Sequence, residues 1–134
     1  MHNLSQRMSL TFAAGSLGGL ANSLAVWLCG LLGITAALQV AIAPTLTPGW
    51  LYPRLVWGGI WGWLFLLHLG RINWIGQGLL LSLGPTLVQL FIVFPFKADK
   101  DVMGLDLGVF TPFFVIFFNA VWGLVAAYWL QRTR

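Results

Sequence analysis

Four long stretches with no charge in their interiors constrain this chain more than any other feature. They run from about Leu10 to Ile34, Tyr52 to Gly70, Trp74 to Phe96 and Leu107 to Leu130, with Arg54 just inside the leading edge of the second. Each approaches or exceeds the roughly 20 apolar residues that carry a helix across the hydrocarbon of a bilayer. Of 134 residues, 59% are hydrophobic and only 7% are charged, against about 25% charged in soluble domains. A small soluble fold keeps too much of its surface wet to hide that much apolar side chain. Soluble folds, disorder, nucleic-acid modules and disulfide scaffolds are therefore excluded. The expected fold class is all-α integral membrane. Residues 1–134 are read as a single transmembrane domain, a four-helix transmembrane bundle with a short interfacial or re-entrant segment after the first helix.

That segment, Thr35 to Pro53, holds Pro44, Pro48, Gly49 and Pro53 beside Trp50 and Tyr52. Proline breaks helices, and Trp and Tyr prefer the headgroup level. An extension of the first helix ending in an interfacial turn is favoured over a segment that dips back into the bilayer. The first apolar run exceeds the roughly 7–15 residues of a signal-peptide core, so it reads as a retained helix. The short link Arg71-Ile72-Asn73 makes the second and third helices antiparallel neighbours. The link from Lys97 to Asp106 reads as a solvated loop.

The net charge of +4 comes from seven Lys and Arg against three Asp. Arg7, Arg71, Arg132 and Arg134 fall on one side of the four spans, and Arg54, Lys97 and Lys100 on the other. The positive-inside rule then favours both termini in the cytoplasm. The expected location is a bacterial cytoplasmic (inner) membrane or an equivalent energy-converting membrane.

Burying leucine cannot drive association among lipid tails, so small residues and interhelical hydrogen bonds must hold the bundle. Gly15, Gly18, Asn22, Ala25, Cys29 and Gly33 form a stripe on the first helix. Gly58 and Gly62 make a Gly-xxx-Gly pair on the second. Gly78, Ser82, Pro85 and Gln89 share a face of the third, and Asn119, Gly123 and Ala127 a face of the fourth. Gly15, Gly18, Gly58, Gly62 and Gly123 are the predicted packing residues, and the bulky Phe113, Phe114, Phe117 and Phe118 are expected to face outward. Pro85, beside Gly84, predicts a kink in the third helix.

Asn22 and Asn119 lie at matching depth within these stripes. A lone amide in hydrocarbon costs several kcal/mol, so both should face inward and bond each other or a backbone carbonyl. Asn22, Gln89 and Asn119 form a polar intramembrane cluster, read first as structural glue and second as a substrate lining. His68, the one histidine in a span, is a candidate ligand for a haem or pigment. Most of the eight Trp fall near span ends or in the second helix, where Trp57, Trp61 and Trp63 are denser than interfacial anchoring requires.

No catalytic constellation is present. The acids Asp99, Asp101 and Asp106 sit together in one loop or its edge, and no metal-binding, phosphate-binding or nucleophile motif occurs. The chain reads as a non-enzyme with no implied cofactor or metal. Its expected partners are the lipid bilayer and other membrane proteins or a second copy, with no nucleic acid. Three roles follow: an accessory or assembly partner of a membrane complex, a small-solute carrier or channel formed by self-association, and a pigment- or haem-binding protein.

The stretch from Gln77-Gly78-Leu79-Leu80 to Phe94-Pro95, with the loop and arginine-ended helix that follow, resembles the YagU-like family of small bacterial inner-membrane proteins. The resemblance covers the second half of the chain. It implies a multi-span fold in the cytoplasmic membrane and supplies no site residues.

Overall fold

A computed structural model of the chain describes residues 3–67, 72–100 and 102–133. Among these residues the structure is helical, without strands. Helix α1 covers Leu4–Leu31, α2 covers Pro48–Gly62, α3 covers Trp74–Lys97 and α4 covers Thr111–Thr133. Helices α1, α3 and α4 are long and apolar enough to cross a membrane. Helix α2 is shorter, with 15 residues, and continues as a 3₁₀ turn over Trp63–Leu66.

The boundaries follow local chemistry. Asn3 starts α1 with a capping box, its side chain accepting from the Gln6 amide while Gln6 reaches back to the Asn3 amide; such a pair satisfies two otherwise orphaned donors. Gly33, at φ 78°, stops the helix, because this left-handed backbone suits glycine. The segment after α1 is therefore not an extension of it. A single turn over Ile34–Ala37 leads into extended chain that doubles back, bringing Ala43 against Gly30. The Thr35 hydroxyl donates to the Ile42 carbonyl at 2.7 Å and pins this return.

The second helix begins earlier than the prolines suggested. Thr47 caps it, accepting from the Trp50 amide, and Pro48 takes the first helical position, where a missing N–H costs nothing. Pro53 falls inside the helix. Residues 48–53, read as an interfacial turn, are thus the first turns of α2.

Helix α3 is not uniform. It breaks at Ser82, resumes over Leu83–Val88, and widens into a π-helix over Gln89–Lys97. Pro95 lies in the wide part and has no N–H for an ordinary α-helical bond. The hydroxyls of Ser82 and Thr86 donate to the carbonyls of Leu79 and Ser82. The loop beyond α3 is less solvated than expected. It forms a 3₁₀ segment, Val102–Leu107, whose Met103 and Leu107 pack on a buried cluster of Leu90, Phe94 and Val115.

Close contacts fix the packing order. Helix α1 runs antiparallel to α2, with Gly15 against Gly58 and Gly62, and Gly19 against the Arg54 carbonyl. On another face α1 runs antiparallel to α4, with Gly18 against Trp122 and Asn22 beside Phe118. Helix α4 in turn packs on α3 through Gly123 and Gly78. The spatial order is α2, α1, α4, α3. The expectation that the second and third helices pack side by side is corrected: α2 and α3 share no extensive face among the described residues. Their glycines are already committed, those of α2 to α1 and that of α3 to α4. Contact between them is seen where Trp61 and Leu64 approach Gly84.

Two further expectations change. Phe118, expected to face outward, is only 5% exposed, and Trp122, one of the Trp outside the second helix and so expected near a span end, is only 3% exposed in the middle of α4. Both lie on the face that carries Val115, Asn119, Gly123 and Ala126, and Trp122 fills space that Gly18 leaves open. Phe113 and Phe117 do point outward.

Candidate functional site

The helices converge on a cavity of about 480 Å³, within the usual range for small-ligand sites, about 300–1,000 Å³. Arg54, on the second turn of α2, dominates it. Its Nε donates to Ser23 Oγ at 2.8 Å, and one terminal nitrogen donates to Asn22 Oδ1 at 2.6 Å. The guanidinium lies 4.7 Å from the Trp50 ring centroid, a cation–π position. Helical spacing explains the placement. Arg54, Gly58 and Gly62 recur every four residues, so the stripe that seats α2 on α1 carries the arginine inward with it.

The predicted polar cluster is brought together and extended. Asn22 accepts from Arg54 through its oxygen, which turns its amide nitrogen toward α4. There it donates to the Phe118 carbonyl at 2.7 Å and faces Asn119 Oδ1 at 3.5 Å. Asn119 donates to Thr86 at 3.2 Å and points toward Gln89 at 3.4 Å. A chain of polar groups thus joins Arg54 to Gln89 across all four helices. Asn22, Arg54, Gln89 and Asn119 all line the cavity, and Lys97, at the end of α3, lines its outer part. No carboxylate lines it among the described residues.

The floor is made by Trp122, whose indole N–H donates to the carbonyls of Gly15, at 3.1 Å, and Gly58, at 3.3 Å. One side chain on α4 thereby ties α1 to α2. Trp122→Phe is expected to lower stability by about 1–2 kcal/mol, because it removes two buried hydrogen bonds that tie α4 to α1 and α2 while keeping most of the ring volume; thermal unfolding in mild detergent measures it.

Of the predicted residues, Gly15, Gly18, Gly58, Gly62 and Gly123 all sit at close helix crossings. Pro85 lines the cavity just beyond the break at Ser82. His68 lies outside the described residues, as does Arg71. Trp57 and Trp61 line the cavity, while Trp63 donates to the Met8 carbonyl on α1. Arg54 and Lys97 were read from sequence only as border charges. The four-residue spacing of Arg54 with Gly58 and Gly62 was the signal for its inward position.

No family model matches the chain, and no curated protein and no solved structure matches it. The chain is all-helical among its described residues, with three helices apolar and long enough to cross a membrane, and it surrounds a cationic cavity.

Proposed function

We propose that the chain is a non-enzymatic, multi-pass carrier in a bacterial cytoplasmic membrane that binds the acid group of an anionic molecule in its central cavity. The observation that carries this reading is Arg54, fixed by Asn22 and Ser23 beside a cavity that no carboxylate among the described residues lines. A charged side chain at membrane depth is costly and marks substrate or ion paths when it faces a bundle interior. A guanidinium has five N–H donors. Two of Arg54's are directed at Asn22 and Ser23, which leaves donors for a planar acid group.

In this reading α2 and its 3₁₀ turn make the fourth crossing. From Pro48 to Leu66 they extend roughly 28 Å, at about 1.5 Å per residue, close to the roughly 30 Å of bilayer hydrocarbon. Leu66 lies beside Arg7, near the start of α1, where a 3.4 Å bond joins them. Both termini then share one side, cytoplasmic by the positive-inside rule. The YagU-like resemblance agrees with this placement and assigns no activity.

The test is uptake of labelled phosphate, acetate and hexanoate into proteoliposomes. Saturable uptake that Arg54→Gln removes and Phe117→Leu retains supports the carrier; uptake equal to that of empty liposomes, or indifferent to Arg54, defeats it. The accessory-partner reading draws on outward Trp57, Phe113 and Phe117, faces that lipid covers equally well.

A further inference from the structure

We infer that the ligand is an amphiphile, an acid group (phosphate or carboxylate) on a hydrocarbon chain, that enters sideways from the bilayer between α2 and α3. The inference rests on the cavity being an acid-binding site and adds what is attached to the acid and how it arrives.

The packing order supplies the entrance. Helices α2, α1, α4 and α3 pack successively, but the circle does not close, because α2 and α3 share no extensive face among the described residues. Toward the link between them the gap is stopped by Trp61 and Leu64 against Gly84. Toward the other end no hydrogen bond or ring contact among the described residues joins α2 to α3. Trp57, a cavity-lining residue, is 58% exposed, so the cavity wall at this level is also the outer surface of the bundle. In a bilayer that surface meets lipid.

The lining fits a two-part ligand. On α3 the cavity is lined by Pro85, Val88, Gln89, Val93 and Lys97. Lys97 is exposed at the end of α3, where headgroups lie, and Arg54 stands deeper, beside Asn22. An acid group moving between them passes from one cation to the other. Between the cations and the Trp61 stop, the wall is apolar and aromatic: Trp57, Trp61, Pro85 and Val88. A freely soluble anion has no use for that wall, whereas a hydrocarbon chain covers it and leaves through the gap. A cavity of about 480 Å³ holds a headgroup and the start of a chain, the rest remaining in the bilayer.

The experiment uses the full chain in nanodiscs of equal phosphatidylcholine and phosphatidic acid, released into native mass spectrometry with and without excess inorganic phosphate. One phosphatidic acid per chain should be retained, preferred about ten-fold over phosphatidylcholine, as charge-assisted hydrogen bonds predict, and phosphate should not displace it. Arg54→Gln should abolish the preference. Lys97→Gln, an exposed change that leaves the packed helices untouched, should weaken it several-fold. Equal retention of both lipids, or retention indifferent to both substitutions, overturns the inference. Displacement by phosphate overturns it too, and shows the ligand to be a free anion. Arg54-dependent uptake of phosphate or acetate with no lipid retained defeats the amphiphile and leaves the carrier standing. No anion and no lipid bound defeats both.

Discussion

Replacing Gly15 by leucine should take apart the bundle, and replacing Gly123 by leucine should do the same from the other half. A β-carbon on Gly15 would run into the carbonyl oxygen of Gly58 and stand 2.6 Å from the Gly62 Cα. One on Gly123 would meet the Gly78 carbonyl oxygen, with the Gly78 carbonyl carbon at 3.0 Å. These obstacles are backbone, so no rotamer change relieves them and the helices must separate. Overpacking costs about 1–3 kcal/mol where side chains can adjust; against rigid backbone a loss of about 3 kcal/mol or more is expected for each substitution. Phe117→Leu, on a ring 53% exposed at the outer face of α4, should leave the melting temperature within a few degrees, roughly the scale of a 1 kcal/mol change. Equal melting temperatures for the three variants in mild detergent would refute the packing faces.

The second large effect is on binding. Arg54→Gln removes the charge but keeps a side chain able to donate to Asn22 Oδ1. Hydrogen bonds to charged groups are worth about 1.5–3 kcal/mol, so affinity for an acid ligand should fall roughly ten- to hundred-fold. Stability should hold or rise, because a charged side chain is costly at membrane depth. Loss of uptake together with an unchanged or higher melting temperature identifies Arg54 as a binding residue. Loss of both would return it to the role of structural glue.

Much of this was legible in the residues. The glycine stripes marked the crossing faces because a bilayer leaves small residues as the means of close approach. Trp74 was the start expected for α3, and the Asn22–Asn119 pairing followed from equal depth. What was not legible depended on tertiary context. Pro48 and Pro53 looked like a helix barrier, yet a threonine cap and the tolerance of the first helical position for proline moved the start of α2 upstream. That shift carried Arg54 from the membrane border to the second turn. The π-helix has no residue signature of its own, since the hydrogen-bond register is chosen by what the helix packs on. A three-residue link between the second and third spans suggested neighbours, but the glycines of each were matched to other helices.

That matching divides the molecule in a way the linear chain conceals. Helices α1 and α2 close on each other through Gly15, Gly58 and Gly62, and α3 and α4 through Gly78 and Gly123. The two hairpins meet along α1 and α4, with Asn22, Asn119 and Trp122 at the seam. Each hairpin thus contains the glycines of its own internal crossing, and the first can assemble while the second is still on the ribosome. Halves translated as separate polypeptides, severed between Leu67 and Ile72, retain every one of these contacts. Their co-expression should rebuild the bundle by complementation, with the covalent link serving chiefly to keep the two hairpins in each other's neighbourhood.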